Sequence, residues 1–358
     1  YITASFLGTC RKLHDWVTDS GSKYTGIGTH LKLYVNLGGG YYDITPVRST
    51  VTLGSDPIAT VDETAVITFT TSSAHGAVSG DYVTIAGATA SGGIGTGSIN
   101  KEHRIVALGA PDGSNVDTKF RVVCDAQATS TDTGEGGSSV TAAFQINTGL
   151  DVFVDGGGYG SGTWGSSTWG SATSIGQSSQ LRIWSMDNFG DDMIACVRQG
   201  KIFYWDESNG TSTRAIPLEE ATRRTLTLLS NPISVTNTSS VITITDKGGH
   251  GAVVGDKVTL SGAADVGGVA AANINKEHTI ATVPNKRTFT VDTGDAASST
   301  TTGGGSSVVA TYQAGTYYPP VGAYQVLMSD TGRHVVALGC TGVNSTDINP
   351  LNVRWSSA

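Results

Sequence analysis

Cysteine is scarce in this chain of 358 residues, with only Cys10, Cys124, Cys196 and Cys340, and no two of them form a C-x-x-C pair. That spacing excludes the common zinc and dithiol redox motifs. A chain with this much material for cores needs no disulfide staple, so buried free thiols are the expected state. Long apolar runs are missing as well. Nothing approaches the ~20 residues of a membrane-spanning helix, and no secretory leader is legible in a sequence that opens on Tyr1. There is no basic run, and the formal charge is −8 with a pI of about 5.3. A sequence-independent grip on phosphates is thereby excluded, and the acidity reads as solubility. Helix-forming stretches are nearly absent. The best candidate, "LEEATRRTLTLL" from Leu218, has Glu-to-Arg spacings that predict a helix of at most about three turns.

What the chain has instead is 48 glycines, many Ser and Thr, and apolar residues supplied mostly as Val, Ile, Tyr and Trp. β-Branched and aromatic side chains suit a pleated surface, while glycine supplies the positive φ of tight turns. The fold class expected is therefore all-β.

A long internal repeat organises the rest. "VITFTTSSAHGAVSGDYVTIAGA" from Val66 matches "VITITDKGGHGAVVGDKVTLSGA" from Val241, and "INKEH" recurs at Ile99 and Ile274 in the same register. Further on, "TKFRVVCDA" at Thr118 faces "RTFTVDTGD" at Arg287, and "GGSSV" recurs at Gly136 and Gly304, after a loop shortened by seven residues. Each copy reads as a small antiparallel β module. Ile67 and Phe69, or Ile242 and Ile244, alternate with threonines at the period of a half-buried strand, and Val83 with Ile85, or Val258 with Leu260, mark the next one.

The repeat also carries the candidate chemistry. His75, Glu102 and His103, with His250, Glu277 and His278 in the second copy, offer metal-ligand or acid–base residue types. Their spacing matches no metal-site pattern, and no further acid or cysteine recurs in both copies. The expected role is structural, with His and Glu side chains fixing a turn by hydrogen bonds.

With the two modules set aside, the remaining segments resemble one another. "HLKLYVNLGGGYYDITPV" from His30 and "GKIFYWDESNGTSTRAIPL" from Gly200 both run strand, turn, strand and end in proline. Apolar strands over Met193–Val197 and Val335–Leu338 follow acidic glycine turns. Short four-stranded units with Trp184-Ser185, Trp205-Asp206 and Trp355-Ser356 describe β-propeller blades. Three such units, one N-terminal, one at residues 181–218 and one from Tyr324, fall short of the roughly 4–8 that close a ring. Closure is left to a further segment or to a different arrangement of these strands.

The organisation expected is a propeller-like part at 1–52, the first inserted module at 53–145, a propeller-like part at 146–230, the second module at 231–315, and an incomplete blade at 316–358. The third of these segments carries the Gly/Ser/Trp loop 155–176. Trp164 and Trp169 in that loop are candidates for an assembly contact or for stacking on sugar rings.

Catalytic motifs fail one by one. No G-x-x-x-x-G-K-[ST] loop exists, since Asp256 follows Gly255 where Lys is needed. "GGIGTG" and "GYGSG" precede no helix, and no serine elbow sits on a strand-to-helix corner. Asp187, Asp191 and Asp192 in "DNFGDD" could ligate Ca²⁺ but read as an exposed blade turn. "SMDNFGDDM" departs from the S-x-D-x-G-x-T-W box of propeller sialidases, and no acid–nucleophile pair can be named.

At "WSMDNFGDDMIACVRQGKIFYWD" from Trp184, flanked by "GTWGSSTWG" and followed by "RWSSA", the chain resembles virion tail proteins of short-tailed marine bacteriophages, in particular their hub or nozzle family. The resemblance implies a propeller platform with inserted β domains. It further implies several copies in a sixfold ring around a DNA ejection channel, contacts with adaptor, fibre or needle proteins, and no specific hold on passing DNA. It carries no catalytic residue, cofactor or metal. The alternatives from the residues are a receptor- or glycan-binding tail protein and, third, a propeller glycosidase.

Overall fold

The computed structural model describes residues 5–151, 181–248, 250–313, 319–329, 334–342 and 345–356. It is an all-β protein whose described strand pairs are antiparallel. Trp164, Trp169 and the loop 155–176 lie outside the described residues. The chain divides into two compact units, Tyr1–Arg198 with Phe203–Ile216, and Gln199–Ile202 with Pro217–Ala358.

The first unit opens with a four-stranded meander, β1 (Cys10–Val17), β2 (Lys23–Thr29), β3 (Leu33–Leu37) and β4 (Gly40–Asp43). An eight-stranded sheet follows, made of β5 (Val47–Thr52), β6 (Ile58–Ala59), β7 (Val66–Thr70), β8 (Tyr82–Ala86), β9 (Glu102–Leu108), β10 (Lys119–Val123), β11 (Thr133–Glu135) and β12 (Thr141–Gln145). Its order is β11-β6-β7-β10-β9-β8-β12-β5. The strand β9 is the hinge of the sheet: its first residues pair with β8 and its later ones with β10. Inside, Ile67, Phe69, Val83, Ile85, Ile105, Phe120, Val122 and Phe144 form one buried core, and the phenyl rings of Phe69 and Phe120 stack at 5.2 Å. The alternation read at Ile67/Phe69 and Val83/Ile85 is the inward face of this core.

A second four-stranded meander, β13 (Trp184–Phe189), β14 (Asp192–Val197), β15 (Ile202–Trp205) and β16 (Ile216–Pro217), shares its core with the first. Trp16, Tyr24, Val35, Trp184, Met186, Met193 and Trp205 are buried together, and Trp205 meets Trp16 and Tyr24 edge-on. Gly26 and Gly28 make this close approach possible. A Cβ at Gly28 would stand 2.5 Å from the Trp184 ring, and one at Gly26 would stand 2.6 Å from Met193 Sδ. These two sheets share one buried core, and among the described residues they form no closed propeller.

The second unit repeats the eight-stranded plan with β17 (Arg223–Leu226), β18 (Leu228–Val235), β19 (Val241–Asp246), β20 (Lys257–Ser261), β21 (Glu277–Asn285), β22 (Thr288–Asp292), β23 (Thr301–Gly303) and β24 (Val309–Gln313). The helix expected from Leu218 is a single turn, Leu218–Ala221, before the chain enters β17. Pairing with β24 overrides the local helical spacing there, because Thr225 and Leu226 complete the ladder opposite Thr311 and Ala310. The unit also holds a three-stranded sheet of β25 (Ala323–Met328), β26 (Val335–Cys340) and β27 (Val353–Trp355).

The missing seven residues of the second copy come from two places. The offset between copies is 175 at His103 and His278, 169 at Phe120 and Phe289, and 168 at Gly136 and Gly304. Six residues are lost from the β9–β10 hairpin, which narrows to a tight turn between β21 and β22. The seventh is a β-bulge, since β11 shifts register between Thr133 and Glu135 and β23 does not. None of the four cysteines is in a disulfide; Cys124, Cys196 and Cys340 are buried and Cys10 is half-buried. Among the described residues no helix is long and apolar enough to cross a membrane.

Candidate functional site

Ile, Asn and His of INKEH have the same local tasks in both copies. Ile99 and Ile274 are fully buried, each in a one-turn helix, Thr96–Ile99 or Ala271–Ile274. The Asn100 side chain grips one backbone residue twice, its Nδ2 donating to the Ala88 carbonyl at 2.7 Å and its Oδ1 accepting the Ala88 N–H at 2.9 Å. Asn275 does the same to Ala263 at 2.8 and 2.9 Å. The buried imidazoles of His103 and His278 lie with Nε2 at 2.8 and 2.9 Å from the carbonyls of Ile99 and Ile274, closing the helical turn. The motif is thus a clamp on a loop, repeated in register.

The other histidine pair is equally committed. His75 Nδ1 accepts the Ala77 N–H at 3.0 Å, which fixes the proton on Nε2, and that N–H donates to the Lys119 carbonyl at 3.2 Å. His250 repeats the pattern with Ala252 and Asn285, both at 3.0 Å. Asp81 and Asp256 cap the same loop by accepting the N–H of Val78 and Val253, each at 2.9 Å. Gly80 and Gly255 turn it at φ +100° and +96°. Among the described residues, no three His, Cys, Asp or Glu side chains converge as a metal-binding group.

In the acidic turn Asp187–Asp192, Asp191 ties the two four-stranded sheets together and Asp192 braces its own sheet. Asp191 accepts the Trp16 Nε1–H through its carbonyl at 2.8 Å and the Asp19 N–H through its carboxylate at 2.8 Å. Asp192 takes the Tyr204 hydroxyl and the Glu207 N–H. Burial, the hydrogen bond to Asp192 and the charges of Asp192 and Asp206 push the Tyr204 phenol above its ordinary range.

Glutamate is where the two copies part. Glu277 is largely exposed, with Lys257 3.8 Å away. Glu102 belongs to a closed network with Lys32, Asp43 and Arg214. Lys32 Nζ, almost wholly buried, lies 2.6 Å from Asp43 and 2.5 Å from Glu102, and sits 4.5 Å above the centre of the Tyr82 ring. Arg214 reaches the same two carboxylates at 3.3 and 3.4 Å and the Thr45 carbonyl at 2.8 Å. Gln145 Nε2 donates to Glu102 at 2.5 Å. Burial pushes the Asp43 carboxyl up, but Lys32 and Arg214 with two hydrogen bonds outweigh it and hold the group below its ordinary value. Two cations and two anions alternate, so the arrangement is balanced and ties β9 to β4 and to Arg214. It offers no acid–base pair in want of a substrate.

Sequence reasoning missed Lys32, Asp43, Arg214 and Gln145, which are scattered along the chain. The one signal available was Lys32 itself, a lysine between the apolar Leu31 and Leu33 at the entry to a strand.

No family model matches this chain, and no curated protein matches it. Among solved structures it is similar to the phage phi92 endosialidase, at 13% sequence identity and a TM-score of 0.22, over 91% of this chain and 52% of that one. The chain therefore spans about half the length of the solved protein it matches.

Proposed function

We propose that this chain is a β-rich bacteriophage virion component that binds a surface ligand, a receptor or glycan, through its inserted modules. The observation that carries the reading is the division of labour within the duplication. Ile, Asn, His, Asp and Gly have the same roles in both copies, whereas outward positions differ: Arg104 against Thr279, and a ten-residue loop 109–118 against a tight turn. A constant core with divergent loops is how one scaffold presents different surfaces. The reading gives the chain no enzymatic role and needs no cofactor.

Binding of the labelled chain to host cells and to a glycan array tests it. The full chain is expected to bind, and a variant with 109–118 replaced by the turn of the second copy is expected to bind less. Absence of binding, or hydrolysis of host polysaccharide by the isolated chain, would overturn the reading. The hub or nozzle ring around the ejection channel is the second reading, favoured by the blade-like packing of Trp205 under Trp16 and Tyr24. Electron microscopy of particles carrying labelled copies separates the two: a ring on the tail axis supports the hub, peripheral label the binding protein.

A further inference from the structure

Three arginines close on the Gly76–Asp81 loop of the first module. Arg48 Nη1 lies 3.2 Å from where a Cβ at Gly76 would stand, and Arg104 donates to the Gly80 carbonyl at 3.3 Å. Arg182 donates to the Asn147 carbonyl, and the Asn147 amide in turn donates to the Gly76 carbonyl at 3.1 Å and to Asp81 at 2.7 Å. Asp81 is the carboxylate whose field acts on both Arg48 and Arg182. Its oxygens are already occupied by the Val78 and Thr148 N–H groups, the Thr148 hydroxyl and the Asn147 amide. Among the described residues none of the three guanidinium groups has a carboxylate within ion-pair distance.

Positive charge is therefore in excess at this loop, in a chain whose net charge is −8. The face of Arg48 rests on the Phe144 ring at 5.3 Å and that of Arg182 on the Trp184 ring at 5.8 Å, which leaves their N–H edges to find acceptors. Nε and Nη2 of Arg48 and Nη1 of Arg182 are buried and find none. Native proteins rarely leave such donors unpaired, so each is a demand for an oxygen. Burial lowers the Arg48 guanidinium and brings Arg182 down to about 10, against the pull of Asp81, the signature of charge without enough partner. Folding does not require the third arginine. The same loop in the second module has the same Gly255 turn and Asp256 cap with Thr279 at the position of Arg104.

We infer that Arg48, Arg104 and Arg182 form an oxyanion site that takes one carboxylate or sulfate group of an acidic polysaccharide, with exposed Arg104 at its mouth. The inference rests on the ligand-binding reading above and names the class of ligand. Because the whole chain repels polyanions, binding has to come from this local cluster rather than from general charge.

Calorimetric titration of the full chain tests it, with sodium sulfate, alginate, dextran sulfate and neutral dextran as probes. The acidic polymers are expected to bind and dextran not. Arg104→Thr, which the second copy shows the loop accepts, should weaken binding about tenfold or more through loss of a charge-assisted contact. Lys23→Ala, an exposed lysine on β2, should change nothing. Equal binding by Arg104→Thr, an equal loss in Lys23→Ala, or no binding of any anion would overturn the site. Sulfate binding with neither polymer bound would overturn the polysaccharide assignment. Neutral glycans bound independently of Arg104 would sink this site and leave the proposed function standing. Anions bound at Arg104 with no attachment to host cells would do the converse.

Discussion

The two INKEH copies supply their own control experiment. In Glu102→Gln the network loses one of its two carboxylates while Lys32 Nζ, almost wholly buried, keeps only Asp43 at 2.6 Å. Breaking a fully buried ion pair costs about 3–5 kcal/mol. The Glu102 side chain is 31% exposed and a second anion remains, so the expected loss is about 2–3 kcal/mol. In Glu277→Gln, the partner is 3.8 Å away and the carboxylate 61% exposed, so the loss should stay within about 0.5 kcal/mol. A chain with two compact units is not expected to unfold in one step, so the assay must resolve modules. Amide hydrogen exchange read by mass spectrometry does so, since peptides spanning β8, β9 and β12 report on one module and those spanning β20, β21 and β24 on the other. Each 1.4 kcal/mol is a tenfold change in opening, so Glu102→Gln should speed exchange in β8, β9 and β12 by about 30- to 140-fold. Glu277→Gln should leave β20, β21 and β24 within about threefold of the parent. Equal effects in the two modules, or none in either, would refute the claim that the two glutamates have different tasks.

Gly28→Ala should destabilise the paired four-stranded sheets by about 1–3 kcal/mol, because its methyl would stand 2.5 Å from Trp184 and 2.6 Å from Met186 Cε; faster exchange in β2 and β13 would show it. His75→Phe and His250→Phe should each cost about 1–3 kcal/mol, since each leaves a buried N–H and a carbonyl unpaired; amide exchange should speed by similar factors in the first module for one variant and in the second module for the other. The Asp43 carboxyl is held below its ordinary 3.8 in the fold, so its contribution to stability is complete above that pH and is lost as the pH falls through the lower folded value. Acid unfolding monitored below pH ~4 should therefore be less steep in Asp43→Asn.

Much of the β plan was legible because it depends on short-range periodicity. The alternation at Ile67/Phe69 and Ile242/Ile244 follows from a pleat with one face buried, and the copies' shared register recurs as the same strand order in the two eight-stranded sheets. The structural reading of His75 and His103 followed from their recurrence without further ligands, and their hydrogen bonds to backbone groups are what such a reading requires. The helix at Leu218 went wrong because Glu-to-Arg spacing is a weak local preference, whereas the ladder of β17 with β24 is a long-range gain that no window of sequence contains. The Glu102 network was illegible for a related reason. Its members come from the residue before β3, from β4, β9 and β12, and from the segment before β16, and only the folded chain brings Lys32, Asp43 and Arg214 to one point.

Duplication also separates what folds a module from what attaches it. His, Asn, Asp and Gly act on backbone groups within a few ångströms of their own loop, and such roles are carried along whenever the loop is copied. Glu102 and Tyr82 act on side chains that the copied segment does not itself contain: Lys32 and Arg214 for the first, Lys32 for the second. Their counterparts Glu277 and Lys257 are exposed. If attachment, rather than folding, selected these residues, Tyr82→Lys with Glu102→Gln should leave the module's own core exchange protection nearly intact at Ile67 and Phe120. The same double variant should loosen the link of β9 to β4. A uniform collapse of protection through the core strands β7 and β10 would show instead that the network is part of what folds the first module, and that the second copy folds by a different balance of forces.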